Sequence, residues 1–562
     1  MTRLIECVPN ISEGRDPALI RQVTDQVETV EGVRLLDVDP GKATNRTVIT
    51  FAGEPEAVIE AAVRVVRKAA ELIDMSKHTG EHPRFGATDV CPLVPIAGVT
   101  MEECVEYARQ LAKRLGEETG TTVYCYENAA TKPERQNLAT VRAGEYEGLE
   151  AKLADPEWAP DFGPAKFNAR GGATAVSARD FLVAYNVNLN TTSTRRANAI
   201  AFDVREKGRI KRDGDPLSGK IVKDADGKTV WTPGALKCVK GIGWFIEEYG
   251  VAQISMNLTN ITVTTVHAAF EECCTRAADR GIRVTGSELV GLIPLSAMLD
   301  AGRYFLKKQQ RSTGVSDAAL IKIAIKSMGL DELSSFDPRE KIIEYVLEGE
   351  RGGRLVDLTL EGFTLETASE SIAPGGGSVA AAVGAFGAAL GTMVANLSGH
   401  KRGWDERWEE FSDHAEAGKR CHDELLKLVD ADTDAFNAIM AGFRLPQGTD
   451  TEKRARHDAI QMATRGAIDV PFRTMEVSLE AMEVVKQMAE KGLPASISDG
   501  GVGALCARSA VLGAFLNVKV NTKDLEDATA VADYLKRGQA IADRACALEA
   551  EILQIVETKL EV

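Results

Sequence analysis

The sequence has no excess of positive charge. Of its 562 residues, 67 are Lys or Arg and 83 are Asp or Glu, which gives a formal net charge of −16. Because binding along nucleic-acid phosphates requires a surplus of Lys and Arg, this balance argues against a protein that coats nucleic acid. The acidity is uneven, since residues 357–562 contain 21 basic and 33 acidic residues, a net −12. This asymmetry indicates a separate C-terminal module.

The sequence also has no paired-cysteine motif and no long apolar run, and we expect no amino-terminal leader. The ten cysteines include no C-x-x-C pair, and together with the seven histidines they form no recognisable zinc-ligand spacing. No apolar run approaches the ~20 residues of a membrane span, and the amino terminus lacks the shape of a signal peptide. We therefore expect a cytoplasmic protein with reduced thiols, no bound metal and no membrane span.

The first 180 residues alternate between strand-like and helix-like segments. The clearest helical signal is Pro55–Ile73, where apolar residues recur every three or four positions. The patterns predict strands at Leu4–Val8, Val33–Val38, Arg46–Phe51 and Thr122–Tyr126, and helices at Pro55–Ile73 and Met101–Leu115. We interpret these strands and helices as a β-α-β-β-α-β-type unit, a sheet that is covered by helices on one side.

The same kind of pattern begins again after residue 180. It predicts strands at Phe181–Leu189, Val251–Leu258 and Ile282–Leu289, and helices at Thr194–Glu206, Gly234–Tyr249 and Val266–Arg280. Residues 331–356 are charged and resemble a linker, whereas 357–562 show long helical periodicity rich in Ala and Gly. We predict an α/β (α+β) half made of two βαββαβ-type subdomains, 1–180 and 181–330, followed by the linker and an all-α helical bundle.

The segment Ser76–Asp89 places two histidines in a loop punctuated by glycines. Such loops position catalytic groups on a rigid scaffold, and histidine can take a proton at neutral pH. A hydrogen-bonded surface loop is the alternative. Asn10 follows the first strand and Asp39 lies at the end of a predicted strand, so both could face the same cleft or serve only as turn residues.

A loop rich in glycine and cations joins the two predicted subdomains. It consists of Gly163, Pro164, Ala165, Lys166, Phe167, Asn168, Ala169, Arg170, Gly171 and Gly172. Its cations, aromatic ring and flexible glycines suit an anionic ligand at the junction of the subdomains. Composition alone equally allows a plain linker.

Two further glycine-containing segments occur in the helical module. Gly375, Gly376, Gly377 and Ser378 open a helix rich in Ala and Gly, and such a start exposes N–H groups that can hold an anion. The absence of a following Lys-Ser/Thr excludes a Walker phosphate loop, and close helix packing is the alternative. Asp499, which precedes another predicted helix, is either an N-cap or part of a ligand loop.

One carboxylate interrupts an apolar helix face. Leu425, Val429, Asp432, Phe436 and Ile439 recur at spacings of three and four, so they share one face. A carboxylate that faces a core is costly unless it is paired or functional, and burial would raise its pKa into a useful range for acid-base chemistry. Asp432 is therefore a candidate catalytic residue, with a purely structural role as the alternative.

Several of these segments together resemble one enzyme family. Cys7–Gly14, Gly80–Ala87 and Asp89–Pro92 resemble glutamate formiminotransferase, while Ala373–Ser378, Leu428–Asp432 and Asn517-Val518 resemble formiminotetrahydrofolate cyclodeaminase. Their order, the linker and the length resemble the fused formimidoyltransferase-cyclodeaminase family over essentially the whole chain.

The resemblance implies two consecutive reactions of histidine breakdown. The formimino group of N-formimino-L-glutamate moves to N5 of tetrahydrofolate, and 5-formiminotetrahydrofolate then cyclises to 5,10-methenyltetrahydrofolate with release of ammonia. By the resemblance, His82 is the transferase base, the loop Gly163–Gly172 binds folate, and Asp432 is the catalytic residue of the cyclodeaminase. It also implies a ring-like homo-oligomer that uses polyglutamylated tetrahydrofolate as co-substrate.

The residue types suit this chemistry. N5 must lose a proton as it attacks the amidine carbon, and the glutamate amine needs a proton to leave; such general acid-base help contributes ~10²–10⁴-fold. Arg84 and Lys166 are candidates for binding substrate carboxylates, and Asp39 for orienting His82 or the amidinium. At the second site N10 attacks the same carbon, and Asp432 could protonate the leaving nitrogen.

Two other functions fit the same residues. N-formylglutamate as donor would make the first half a formyltransferase joined to a cyclohydrolase-like second half, because formyl and formimino groups differ only by O against NH. A non-catalytic folate-binding scaffold is the other alternative, and the presence of His82 and Asp432 counts against it.

Overall fold

The strands at the start of the chain form one seven-stranded mixed sheet. The computed structural model describes residues 3–41, 45–80, 83–214, 218–247, 249–348 and 354–560. The strands of this sheet are β1 Leu4–Cys7, β2 Asn10–Ile11, β3 Val33–Gly41, β4 Arg46–Gly53, β5 Thr88–Ala97, β6 Thr122–Glu127 and β7 Ala173–Ala178. Their order is β1-β4-β2-β5-β7-β6, with β3 paired to β4, and β7 runs parallel to both of its neighbours.

Helices cover one face of this sheet. They are α1 Pro17–Glu28, α2 Pro55–Leu72 and α3 Met101–Thr119, whereas the short α4 Leu138–Val141 and α5 Leu149–Ala154 pack against side chains on the opposite face. The apolar side of α2 packs with Ile5 and Cys7 of β1 into a fully buried core. Because side chains alternate along a strand, Glu6 points away from these helices. The face that Glu6 occupies carries part of the candidate site.

A second sheet of four antiparallel strands follows, in the order Val239–Ile246, Val251–Leu258, Val183–Leu189 and Val284–Val290. Its strands are β8 Val183–Leu189, β13 Val239–Ile246, β14 Val251–Leu258 and β15 Val284–Val290, and its helices are α6 Thr194–Val204 and α7 Val266–Ala278. Between them lie the short β9 Arg209–Ile210, β10 Arg212–Asp213, β11 Lys220–Ile221 and β12 Trp231–Thr232, which pair as β9 with β12 and β10 with β11.

The predicted helix at Gly234–Tyr249 is wrong, because this segment contains the edge strand β13. Buried Val239 and exposed Ile242 lie on opposite faces of the strand, as the two-residue repeat of a strand requires. Gly243 lets α6 approach, since a Cβ there would lie 2.2 Å from the backbone nitrogen of Asn198. The side-chain amide of Asn198 also bonds the N–H and C=O of Gly243, each at 3.0 Å. Contact with α6 therefore fixes a strand where the apolar spacing suggested a helix.

Met1–Met298 and Ile325–Gly349 form one compact unit, and Leu299–Ala324 and Glu350–Val562 form the other. Between residues 295 and 348 the chain passes from one unit to the other and back. The helices there are α8 Leu295–Lys308, α9 Asp317–Met328, α10 Pro338–Lys341 and α11 Ile343–Glu348. Ile342 and Ile343 are fully buried, and the backbone of Ile293 bonds to this segment. Part of the stretch predicted to be a linker thus packs within the first unit.

The rest of the second unit is helical. It contains α12 Leu360–Thr367, α13 Gly376–Gly399, α14 Trp408–Arg444, α15 Asp450–Lys491, α16 Ile497–Asn521 and α17 Ala528–Leu560, with no strand between residues 354 and 560. α13 packs against α14, α15 and α16, and α15 also packs against α17. Met475, Val485, Ala507 and Val518 are among the fully buried core residues. The predicted fold class, two sheet-helix subdomains and a helical module, is confirmed.

Two helical stretches of this unit, Gly376–Gly399 and Pro494–Asp524, are long and apolar enough to cross a membrane by length and composition. Their most apolar windows are 61% and 50% buried inside the unit, and buried core helices satisfy the same criterion. The expectation of no membrane span stays a prediction.

Candidate functional site

Two adjoining cavities are lined by residues of both sheets in the first unit. The larger, called here the Arg142 cavity, has a volume of about 990 Å³. The smaller, called the Glu6 cavity, has a volume of about 500 Å³. Asn10, Arg179 and Leu182 line both cavities, so the two meet at these residues.

Three carboxylates line the Glu6 cavity: Glu6 on β1, and Asp37 and Asp39 on β3. Glu6 is only 5% exposed, and this burial raises the pKa of its carboxyl to about 7 despite the nearby charge of Arg179. Burial also raises the pKa of Asp37. Arg179 and Lys341 are the cations among the described lining residues. A ligand group that brings positive charge would stabilise these carboxylates.

A buried charge network reaches the wall of the Arg142 cavity through Arg142 and Asn10, which line it. The fully buried carboxylate of Asp89 lies 2.5 Å from Nη1 of Arg46 and 2.9 Å from Nη2 of Arg142. It also accepts a hydrogen bond from the N–H of Phe85 at 3.1 Å, and Arg46 donates to the side-chain oxygen of Asn10 at 3.1 Å. Two guanidinium groups share one carboxylate, so net positive charge remains at this wall.

Other charged residues of the Arg142 cavity continue this polarity. Arg142, Arg179 and Lys240 line it together with Glu127 and Asp180, whose pKa values are raised by burial. The lining therefore carries more positive than negative charge. A ligand with carboxylates at one end and a cationic group at the other would complement the two cavities.

The loop that contains the two histidines is described except at Glu81 and His82, so the predicted base lies outside the described residues. His78 is engaged within the loop region: its Nδ1 accepts from Nε of Arg84 at 3.2 Å, and its Nε2 lies 2.9 Å from the carbonyl oxygen of Asn45. Because a guanidinium only donates, Nε2 carries the proton and donates to that carbonyl. His78 thus anchors the loop.

Arg84, a candidate for binding a substrate carboxylate, is held by protein carboxylates. Its guanidinium donates to both oxygens of Glu147 at 2.8 and 3.0 Å, and to Glu145 at 3.4 Å. These contacts raise the pKa of Arg84 and lower that of Glu147. The guanidinium is therefore already neutralised. Asp39, by contrast, lines the Glu6 cavity, and Asn10 lines both cavities.

The loop Gly163–Gly172 lies directly beside the segment that follows His82. The carbonyl of Gly171 accepts from the N–H of Ala87 at 2.8 Å, and Gly86 and Gly172 form an isolated antiparallel bridge. Phe167 packs against Tyr146 with ring centroids 5.6 Å apart. The remaining side chains of the predicted folate loop, including Lys166, are mostly exposed. The structure therefore brings the predicted folate loop next to the predicted base loop.

In the second unit, the Asp432 carboxylate on α14 meets the amino terminus of α13. Its Oδ2 accepts from the N–H of Ser378 at 2.9 Å and from the hydroxyl of Ser378 at 3.2 Å. Gly377 permits this approach, because a Cβ there would lie 2.1 Å from Oδ1. Burial raises the pKa of Asp432, and the two bonds from Ser378 oppose the rise. No described residue donates a hydrogen bond to Oδ1.

A cavity of about 210 Å³ opens beside this carboxylate. The residues around it come from the predicted glycine segment and from three helices: Gly375, Gly376, Gly377, Asp432, Phe436, Asn437, Ala467, Asn517 and Asn521. Leu425 and Val429 are buried, as the apolar face of α14 predicts, whereas Phe436 is exposed and lines the cavity. Asp430, on another face, accepts from the N–H of Leu355 at 2.7 Å and so has a capping role.

Asp499 is not brought to this site. It lies in the first turn of α16, eighteen residues before Asn517, which is about 27 Å along a helix. The described residues contain no group of three or more His, Cys, Asp or Glu side chains placed to hold a metal ion. The absence of a metal stays a prediction.

Three charged residues that line these cavities were not predicted from the sequence: Glu6, Arg142 and Arg179. Glu6 is a single acid in a short apolar strand, which alone is typical of a solvated position. Arg142 follows a four-residue helix, and Arg179 follows a strand that was not predicted. The pairing of Arg142 with Asp89 is visible only in the folded chain.

Family models match almost the whole chain. "Formiminotransferase domain, N-terminal subdomain" matches residues 4–179, "Formiminotransferase domain" matches 184–348, and "Formiminotransferase-cyclodeaminase" matches 359–540. A formimidoyltransferase-cyclodeaminase of Gallus gallus is 44% identical over 529 residues, 94% of each chain. A glutamate formimidoyltransferase of Streptococcus pyogenes is 41% identical over 55% of this chain and 94% of its own. A methenyltetrahydrofolate cyclohydrolase of Methylorubrum extorquens is 37% identical over 36% of this chain and 97% of its own. The chain therefore belongs to the formimidoyltransferase-cyclodeaminase family.

Proposed function

We propose that the chain is a bifunctional folate enzyme of histidine degradation. Its first unit transfers the formimino group of N-formimino-L-glutamate to N5 of tetrahydrofolate. Its second unit cyclises 5-formiminotetrahydrofolate to 5,10-methenyltetrahydrofolate and releases ammonia. The observation that carries the first assignment is the charge difference between the two cavities: acids outnumber cations among the described residues that line the Glu6 cavity, and cations outnumber acids in the Arg142 cavity. The donor has a cationic amidine and two carboxylates, and so has the same polarity.

His82 is assigned as the base of the transfer step. N5 loses a proton as it attacks the amidine carbon, and the glutamate amine gains a proton when the tetrahedral intermediate breaks down. His78, the other histidine of the loop, is already bonded to Arg84 and Asn45, which favours His82 for this role. The neighbouring loop Gly163–Gly172 is assigned to folate, and Asp39 to the amidinium end of the donor.

Asp432 is assigned as the acid of the second step. N10 of folate attacks the formimino carbon, and ammonia leaves once its nitrogen is protonated. A carboxyl whose pKa is raised by burial stays protonated closer to neutral pH and can supply that proton. Oδ2 is held by Ser378 at the amino terminus of α13, while Oδ1 receives no hydrogen bond from a described residue.

A methenyltetrahydrofolate cyclohydrolase is the second candidate for the helical unit. The similarity of that unit to the Methylorubrum extorquens protein of this name favours it. In that case N-formylglutamate would be the matching donor for the first unit.

The donor experiment separates these functions. The purified full chain is supplied with tetrahydrofolate and either N-formimino-L-glutamate or N-formyl-L-glutamate, and ammonia and the absorbance of methenyltetrahydrofolate are followed. We expect both signals with the formimino donor only. His82→Ala is expected to lower transfer by roughly 10²–10⁴-fold, while ammonia release from supplied 5-formiminotetrahydrofolate continues. Methenyltetrahydrofolate formation from the formyl donor at a comparable rate would contradict the proposal.

A ring-like homo-oligomer is proposed for the assembly. Large apolar side chains are exposed along the outer faces of α13 and α16, including Phe386 at 55% and Leu516 at 64% exposure. Contiguous apolar faces of this kind are typical of subunit interfaces. None of the ten cysteines, all within the described part of the chain, forms a disulfide, which suits the reducing cytoplasm, the proposed location. The folate is proposed to be polyglutamylated, and no metal is assigned to either step.

A further inference from the structure

Glu6 is the most deeply buried of the acids that line the Glu6 cavity. It lies in the middle of β1, whose neighbours Ile5 and Cys7 point into the helix-covered core. The residue opposite Glu6 on β4 is Ala52, and the one on β5 is Val94, so no polar partner faces it across the sheet. Its carboxylate therefore reaches the cavity from an apolar part of the sheet.

No described residue gives this carboxylate a hydrogen bond or an ion pair, although Glu6 is 95% buried. A buried carboxylate without a partner is costly, and native proteins keep such groups when a ligand supplies the partner. The charged residues that face it are Arg179 after β7, Asp37 and Asp39 on β3, and Lys341 in α10. None of these four residues forms an ion pair with Glu6, and the charge of Arg179 only partly opposes the effect of burial on the pKa of Glu6.

We propose that Glu6 is the residue that selects the cationic formimino donor over its neutral formyl counterpart. This inference rests on the proposed transferase function and names a specificity determinant within it. The amidinium of N-formimino-L-glutamate has N–H groups on both nitrogens that flank its carbon. Both can point at one carboxylate and form two parallel, charge-assisted hydrogen bonds, which are strong in a cavity that excludes water.

The formyl counterpart cannot make this arrangement. It is uncharged and presents one N–H and one carbonyl oxygen, and that oxygen would face the oxygens of Glu6. A site that leaves its own buried polar group unpaired rejects such an analogue strongly. The sequence alone could not distinguish a formyl donor from a formimino donor. In this proposal, one buried carboxylate, that of Glu6, makes the distinction.

The burial of Glu6 supports the same proposal, because it changes the pH range over which this carboxylate is protonated. Desolvation raises the pKa of Glu6 to about 7, so near neutral pH the empty site is partly protonated. A bound cation favours the ionised form, and donor binding should therefore release protons. Asp37, Asp39, Arg179 and Lys341 remain present in the variant below, so a change in proton release reports on Glu6.

The test compares Glu6→Gln with Glu54→Gln in the full chain. Glu54 precedes α2, is exposed and caps no backbone group, so its variant removes the same charge outside the cavity. For each chain, kcat/KM is measured with N-formimino-L-glutamate and with N-formyl-L-glutamate, and proton release on formimino donor binding is measured by calorimetry in two buffers. We expect Glu6→Gln to lose roughly 10- to 100-fold with the formimino donor and to release fewer protons. We expect it to gain activity with the formyl donor, because the glutamine amide can donate to the formyl oxygen.

The outcomes separate this inference from the function on which it rests. If Glu6→Gln keeps the donor preference of the parent, or loses both donors equally, Glu6 is not the determinant and the transferase function stands. If the parent chain itself prefers the formyl donor, the proposed function fails before any variant is considered. Ammonia release from supplied 5-formiminotetrahydrofolate and an undiminished melting temperature show that the variant is folded.

Discussion

Asp432→Asn is expected to slow cyclisation of 5-formiminotetrahydrofolate by about 100-fold or more, because the amide cannot supply the proton that ammonia needs to leave. Formimino transfer is expected to continue at the rate of the parent, since Asp432 lies in the other unit. The measurement is ammonia release from supplied 5-formiminotetrahydrofolate, with transfer followed separately.

The matched control for this variant is Asp434→Asn. Asp434 is on the same helix, two residues further along, but is exposed and does not line the cavity described here. Removing its charge should leave both activities unchanged. Because burial already raises the pKa of Asp432, loss of its charge should not lower the melting temperature. Equal cyclisation rates for the two variants would make the role of Asp432 purely structural.

The pH dependence of cyclisation follows from the same geometry. The acid form of Asp432 is required, so the rate should fall as the pH rises through its raised pKa. The two hydrogen bonds from Ser378 stabilise the carboxylate and so lower that pKa. Ser378→Ala removes the hydroxyl bond and should therefore move the alkaline decline to higher pH, which Asp434→Asn should not do.

Local periodicity accounts for the part of the fold that the sequence predicted well. α2 and α3 carry apolar stripes that pack onto the first sheet, and both were predicted from those stripes. Strand β5 was not predicted, because Pro92 and Pro95 lie within it and proline cannot donate to a sheet ladder. Its place beside β1 and β7 depends on long-range pairing that no local pattern encodes.

The same distinction separates the site residues. Asp432 could be found because it interrupts the apolar face of a long helix. The structure places it beside a cavity, and its catalytic role stays a prediction. Glu6 could not be found, because its burial depends on a second sheet that begins almost 180 residues later in the chain. Arg84 was predicted to bind a substrate carboxylate because it is a cation in the loop of the two histidines. Its guanidinium instead donates hydrogen bonds to Glu147 and Glu145. The surroundings of Glu6 and of Arg84 are therefore set by residues that are distant in sequence, which no local pattern reveals.

Asp89→Asn is expected to destabilise the first unit by roughly 3 to 5 kcal/mol, the cost of breaking a buried ion pair from one side. The carboxylate of Asp89 is fully buried, and it is the shared ionic partner of Arg46 and Arg142, which are themselves nearly buried. An asparagine keeps one acceptor oxygen but no charge, so two guanidinium groups would remain buried with no ionic partner. The measurement is the denaturant midpoint of the unfolding transition of the first unit.

The control for Asp89→Asn is Asp25→Asn, which removes a carboxylate from an exposed pair with Arg21. Such surface pairs contribute about 0–1 kcal/mol, so its midpoint should hardly change. Asp89→Asn should in addition slow transfer, because Asp89 also holds the N–H of Phe85, three residues after His82, and positions Arg142 at the cavity wall. Similar midpoints for the two variants would mean that the two arginines find other partners when Asp89 is neutral. Loss of transfer without loss of stability would instead show that the network serves chiefly to shape the Arg142 cavity and the loop that carries the base.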